Sequence, residues 1–374
     1  MRILYLSRAY TPHDHRFLSA LASGPHQILF LRLHAQPAHY ENRPIPPSIR
    51  ELPPLASTNV LTSPAEWVPL APRLKTILAS EQPHLVHAGD IQTGAFLAAL
   101  AGFHPLLAMS WGSDLLVDAH RDPLWSWITR FTLHRADMLL TDATEVTRAA
   151  VELAGLDPQR ILQFPWGVDT ALFHPGPDTL QLRNHPGWQN AVLVLSNRSW
   201  EPQYGVLHLL RAFALARESN PRLRLVLLGS GSQKEEIEQF LREHALAPHV
   251  LILGATPPRQ LPEILRAVDL FASCAFSDGS SVSLLEAMAT GLPVLATQRT
   301  SNQEWIASPD NGLLAPFGDI PAIAAALLTL ASLTSGQREC IAAANRAAIL
   351  DRANWDTSVT RLFAAYSTLR PDLD

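Results

Sequence analysis

Two carboxylates stand eight positions apart in Asp278-Gly279-Ser280-Ser281-Val282-Ser283-Leu284-Leu285-Glu286. An apolar run precedes this segment and an amphipathic stretch over 281–290 carries it on, so the spacing predicts strand, polar loop and helix. The first amides of such a helix have no intrahelical partner and lie at the positive end of its dipole. Gly279, Ser280, Ser281 and Val282 would therefore suit a phosphate. Asp278 falls in the loop and Glu286 about a turn and a half inside the helix. One carboxylate could meet a sugar and the other a ribose; alternatively Asp278 caps the helix and Glu286 is solvated. Arg198 follows a second apolar run, in Ser196-Asn197-Arg198-Ser199-Trp200. A fixed guanidinium there would offset the negative charge that builds on a departing diphosphate; the alternative is a surface ion pair.

The first half of the chain offers a weaker set. Ser7-Arg8-Ala9-Tyr10-Thr11-Pro12-His13-Asp14-His15-Arg16 follows the first apolar run, so His13, Asp14 and Arg16 could meet an acceptor. His13 is either a general base or a hydrogen-bonded loop residue. Trp111 and Asp114, in Ser110-Trp111-Gly112-Ser113-Asp114, follow another run; Asp114 either binds an acceptor hydroxyl or caps the next helix. His87 ends a strand-like run and reads equally as a core histidine. The chain has 15 His but no His-x-x-x-His pair with a third ligand, and no Asp-x-Asp after an internal strand, so no metal site is expected.

The elements that must hold these residues alternate. Apolar runs at 3–7, 27–33, 84–87, 105–109 and 138–141 read as buried parallel strands, with helices over 93–101, 124–134 and 144–153. The pattern returns with strands at 191–196, 224–228, 250–253, 270–273 and 293–296 and helices over 204–218, 233–243, 258–267 and 281–290. Gly291 and Pro293 stop the last of these. The pattern predicts two doubly wound α/β domains, whose ligands bind beyond the carboxyl ends of the strands. A Pro- and Gly-rich stretch, Phe173-His174-Pro175-Gly176-Pro177-Asp178, marks the linker, and 356–369 reads as a final amphipathic helix.

Composition agrees. The chain has 374 residues, 47% apolar and 17% charged, which suits two globular domains. Net charge is −5, divided as −2 over residues 1–175 and −3 over the rest, so nucleic acid is not an expected partner. Two cysteines form neither a disulfide framework nor a metal cluster and fit a cytoplasmic setting. No run reaches the roughly 18 apolar residues of a spanning helix, so membrane contact is expected to be peripheral at most. Leu124–Phe131, with Trp125 and Trp127, is either a helix touching a membrane surface or a core-packing helix.

The segment from Asp278 resembles the donor-site signature of the family 4 glycosyltransferases. Leu285-Glu286-Ala287-Met288-Ala289-Thr290-Gly291-Leu292-Pro293-Val294 matches it closely, with Asp278 in place of the first Glu. Pro165-Trp166-Gly167-Val168-Asp169, Leu228-Gly229-Ser230-Gly231 and Asn311-Gly312-Leu313-Leu314 are similar to further family segments in the same order. The resemblance implies a GT-B fold: two Rossmann-like domains, 1–175 and 176–355, facing across a cleft, with residues 356–374 crossing back to the first. It implies a retaining, metal-independent transfer of a hexose from a nucleoside-diphosphate sugar, a substrate rather than a cofactor. The acceptor would be a glycan, a lipid-linked sugar or a small molecule, in polysaccharide or glycoconjugate synthesis.

By the same resemblance Arg198 holds the diphosphate, Glu286 the ribose and Asp278 the donor sugar, while Glu304 lines the donor cleft and the first domain takes the acceptor. The chain departs from the pattern at Gln203 or Tyr204, where a Lys is usual, and at Trp111, where a His is. These departures keep open a binding protein with a degenerate donor site. A nicotinamide oxidoreductase is disfavoured, because no Gly-x-Gly-x-x-Gly follows the first strand.

Overall fold

The structure is a computed structural model that describes residues 1–34, 41, 43–56 and 62–373. The chain forms two compact units: residues 1–164 with 358–374, and residues 165–357.

The first unit is built on a parallel sheet of seven strands: β1 (Arg2–Ser7), β2 (Gln27–Arg32), β3 (Arg50–Glu51), β4 (Leu85–Gly89), β5 (Leu106–Met109), β6 (Met138–Thr141) and β7 (Ile161–Gln163). They run in the order β3-β2-β1-β4-β5-β6-β7. The inner strands are apolar on both faces because helices cover both, as parallel sheets require. The helix Gly94–Ala101 is apolar over most of its circumference and buried accordingly. Residues 358–374 complete this unit, and buried Tyr366 anchors them by hydrogen bonding to His87 at 2.6 Å. Arg370 donates to the His84 carbonyl oxygen, and the Arg361 guanidinium lies over the Phe164 ring.

The second unit has six parallel strands: β8 (Val192–Ser196), β9 (Leu223–Leu228), β10 (Val250–Gly254), β11 (Leu270–Ser273), β12 (Val294–Thr297) and β13 (Gly312–Ala315). Their order is β10-β9-β8-β11-β12-β13. One core lies on each face, around Phe213 and Leu327 on one side and Phe271 and Met288 on the other. Residues 165–175 belong here. The Val168 amide donates to the Ala353 carbonyl oxygen at 2.7 Å, the Trp355 amide returns a bond to Val168, and Phe173 is buried.

In both sheets the chain starts near the middle, adds strands to one edge, then crosses back to extend the other. The reversal falls between β1 and β4 in the first unit and between β8 and β11 in the second. Such switch points leave a crevice beyond the strand ends, and ligands use it. Arg198 follows β8 and Asp278 follows β11, so the two candidate groups flank one switch point.

Candidate functional site

The loop after β8 is fixed by Trp200, which is 2% exposed. Its indole nitrogen donates to the Leu228 carbonyl oxygen at 3.0 Å and its amide to Ser230 at 2.9 Å. This seats the Arg198 backbone against Gly229-Ser230-Gly231. A Cβ on Gly229 would lie 2.7 Å from the Arg198 carbonyl oxygen, and one on Gly231 2.5 Å from that of Trp200. The two glycines therefore let one loop close on the other. Gly205 does the same for the next turn: its φ is +63°, and a Cβ would stand 2.0 Å from the Cys274 carbonyl oxygen. The Phe276 amide then donates to the Gln203 carbonyl oxygen at 2.7 Å, which ties the Tyr204 turn to the segment leading into Asp278.

The helix after β11 runs Val282–Ala289, and Ser281 is its N-cap. The Ser281 hydroxyl makes no capping bond; it accepts from Arg198 Nη1 at 3.0 Å, and the Ser283 hydroxyl accepts from the same nitrogen at 2.8 Å. Arg198 Nη2 is 2.8 Å from Asp278 Oδ2. The guanidinium carbon lies 4.3 Å from the Tyr204 ring centroid, a cation–π contact. The arginine is thus held at the helix start from four sides. Four polar atoms of these two loops are buried without a hydrogen-bond partner in the protein: Asn197 Oδ1, Arg198 Nε, Ser277 Oγ and Asp278 Oδ2. Native interiors leave few such atoms, and a cluster of them calls for partners from outside the protein, solvent or ligand. The helix closes as its sequence requires, with Gly291 at φ +86° and the Leu292 amide bonded to the Ala287 carbonyl oxygen.

Asp278 is accordingly not a helix cap, and Glu286 is not solvated but 8% exposed on the helix. Gly279 and Ser280 are buried in the turn and Val282 is half-buried at the first helical position. Glu304 follows the short helix Thr300–Gln303, and that turn is fastened to the same loop, since the Ser301 hydroxyl donates to the Asp278 carbonyl oxygen at 3.1 Å. Two contributors were not expected as partners. Ser283 falls one turn face away from Glu286, and the Ser281-x-Ser283 spacing was its only signal. Tyr204, in the Pro202–Tyr204 turn, stacks on the arginine.

The first unit corrects two expectations. Asp14 does not face an acceptor; it is fully buried as the third residue of the helix Pro12–Ala22. It completes a capping box with Thr11 and accepts from the Tyr5 hydroxyl at 3.0 Å. Burial pushes its carboxyl up to about 6. Asp114 is likewise 2% exposed and accepts from the amides of Ile91, Trp111 and Leu115 at 3.1, 3.2 and 3.0 Å, so it organises the loops around it. Burial, and more weakly the neighbouring Asp90 charge, push it up to about 7.

His87 is a core histidine, held down to about 3 by burial. His13 and Trp111 do come together, their rings stacked at 5.4 Å, and Arg16 lies half-buried a turn further along the same helix. Sequence reading missed Asp90 at the end of β4, raised by burial, where the charge of Arg8 opposes the shift and that of Asp118 adds to it. Among the described residues no group of three or more His, Cys, Asp or Glu could hold a metal ion, and no single helix is long and apolar enough to cross a membrane.

Comparison with known proteins gives this arrangement a family. The profile of glycosyl transferases group 1 matches residues 180–347, and that of glycosyl transferase 4-like proteins matches residues 2–143. The chain is 27% identical over 304 residues to the GDP-mannose-dependent alpha-(1-6)-phosphatidylinositol monomannoside mannosyltransferase of Mycolicibacterium smegmatis, covering 76% of this chain and 78% of that protein. It is 30% identical over 242 residues to the D-inositol 3-phosphate glycosyltransferase of Acidothermus cellulolyticus, covering 62% of this chain and 53% of that one. In structure it is similar to Anabaena HepE in complex with UDP, at 20% identity and a TM-score of 0.80 over 98% of this chain and 100% of that one. It is also similar to sucrose-phosphate synthase from Thermosynechococcus elongatus, at 18% identity and a TM-score of 0.82 over 99% of each chain. Two Rossmann-like units of this topology are the GT-B fold. The chain belongs to the family 4 glycosyltransferases, enzymes that act on nucleotide-sugar donors.

Proposed function

We propose that the protein moves a hexose from a nucleoside-diphosphate sugar to an acceptor hydroxyl, with retention at the anomeric carbon and without a metal, in polysaccharide or glycoconjugate synthesis. The observation that carries this reading is the Arg198 guanidinium, held at the start of the helix Val282–Ala289, with its Nε unpaired. A cation and free helix amides are what a diphosphate leaving group needs as its charge grows, and together they can serve where other transferases use a metal. In this scheme Glu286 takes the ribose, Asp278 and Glu304 face the donor sugar, and Gly279–Val282 supply amides. The acceptor hydroxyl attacks the anomeric carbon as the diphosphate leaves from the same face, and its proton passes to the departing phosphate oxygen. The first unit holds the acceptor, with His13, Arg16 and Trp111 on its candidate surface. A glycan, a lipid-linked sugar and a small molecule all fit that assignment.

The relatives guide the donor panel: one is a GDP-mannose-dependent enzyme, and HepE has been seen with UDP and with UDP-glucose. Cys274 and Cys340 are free thiols, which suits a cytoplasmic enzyme whose membrane contact is peripheral at most. The test is a thermal-shift panel of nucleotide sugars followed by turnover assays. A bound donor at a hundredfold excess over its dissociation constant should stabilise the protein by about 2.7 kcal/mol. Arg198→Ala should abolish that shift and the turnover. One observation favours a second reading, a non-catalytic nucleotide-sugar-binding protein: the cation is already paired with Asp278 and covered by the Tyr204 ring. Donor binding without donor hydrolysis or transfer in the wild type would select it.

A further inference from the structure

The guanidinium of Arg198 has five N–H donors in a fixed plane. Both Nη1 bonds go to the Ser281 and Ser283 hydroxyls, and one face of the plane is covered by Tyr204. What is left is the Nε–Nη2 edge, the fork that grips carboxylates and phosphates in two parallel bonds. Nε donates to nothing in the protein. Asp278 Oδ2 is 2.8 Å from Nη2, yet it is off the donor axis and accepts no aligned hydrogen bond. The binding edge therefore faces a protein anion that touches it without engaging it.

The side chains on either side are largely buried, 11% exposed for Arg198 and 23% for Asp278, so the charge pair is only weakly screened by water. A glutamate at this position would carry its carboxylate about one methylene further along the loop. The aspartate keeps its own within contact of the cation.

We propose that Asp278 is a competing anion built into the donor site. It neutralises Arg198 while no nucleotide is present and yields the Nε–Nη2 edge to the incoming diphosphate; its return to that edge helps expel the nucleoside diphosphate after transfer. Nucleotide affinity is then set by the exchange of one anion for another, and product release is faster than an uncontested arginine would allow. This rests on the donor-site reading above and adds to it a role for Asp278 that precedes any contact with the donor sugar.

The test is calorimetry on the full chain with UDP, GDP and ADP, each lacking a sugar, at fixed ionic strength. Asp278→Asn removes the competing charge and keeps the shape. It should bind the nucleotide that the wild type binds about tenfold more tightly, with the gain in a slower off-rate. Asp278→Ser should change affinity in the same direction and serves if the amide variant misfolds, which circular dichroism and melting without nucleotide will show. The gain should vanish in the Arg198→Ala background, because there is then no cation to contest. Unchanged or weaker nucleotide binding in Asp278→Asn and Asp278→Ser overturns the proposal. An equal gain in the Arg198→Ala background also overturns it, since the effect would then be bulk charge rather than competition. Binding of none of the three nucleotides by wild type or any variant overturns the donor-site reading itself, an outcome distinct from the other two.

Discussion

Gly229 offers a way to move Arg198 without touching its side chain. The glycine sits at φ +90°, and a Cβ there would stand 2.7 Å from the Arg198 carbonyl oxygen. A carbon–oxygen contact is comfortable only near 3.3 Å or beyond, so Gly229→Ala must push the Arg198 backbone aside by about half an ångström. Left-handed backbone costs a non-glycine residue about 1–2 kcal/mol. Gly187 separates the two effects: it lies in the same unit at φ +77°, with nothing within 4 Å of a Cβ. Gly187→Ala should show the backbone strain alone, a drop of about 4 °C in melting temperature for a unit of this size.

Gly229→Ala should show that drop and, in addition, about a tenfold loss in nucleoside-diphosphate affinity. The estimate follows because a 1 Å displacement of a positioned group costs on the order of 100-fold. Calorimetry with the nucleotide found in the panel, alongside melting curves for both variants, is the assay. If Gly229→Ala binds within twofold of Gly187→Ala, the loop-on-loop seating does not control the cation and the reasoning is wrong.

Two further outcomes concern the first unit. Tyr366→Phe leaves His87 Nδ1 without its 2.6 Å partner inside the core and should cost about 1–3 kcal/mol, seen as an earlier melting transition with nucleotide affinity unchanged. Asp114 has a carboxyl raised to about 7 in the folded chain against an ordinary value of 3.8, so the folded state holds a proton that the unfolded state releases. Its contribution to stability is therefore present below about pH 4 and is lost as pH rises towards 7. Asp114→Asn should flatten the fall in melting temperature between pH 5 and 7.5 relative to wild type; an unchanged slope would place the titration elsewhere.

The fold was legible where burial leaves a plain signature. Met138–Thr141 and Leu270–Ser273 are strands with the limits their apolar runs suggest, because strands covered on both faces must be apolar throughout. The edge strands of the first sheet were not legible. Arg50–Glu51 is two charged, exposed residues, and Ile161–Gln163 is only half-buried, so neither needs an apolar run. The helix Ser335–Arg352 was missed although Thr334 and Gln337 spell a capping box at its start.

At the site, spacing brought out Asp278, Glu286 and Arg198, because strand, loop and helix dictate which ends meet. It placed Asp14 on the acceptor side and could not decide between capping and binding for Asp114. Both outcomes depend on Tyr5 and Ile91, which lie on other strands or loops. Tyr204 escaped notice as a partner because stacking needs the turn that Gly205 makes possible, and no short-range pattern encodes a ring face.

The first unit is assembled from two stretches of chain separated by the whole of the second. During synthesis the segment beyond residue 358 emerges only after every strand of the six-stranded sheet has been made. Until then His87 waits for the hydroxyl of Tyr366, and the flank beside Phe164 and Gly24 lacks its cover. The unit that is translated second is the one that is continuous in the chain. Completion of the first unit thus waits on the last stretch of the chain, and a nascent chain ending before residue 358 would leave that unit unsealed.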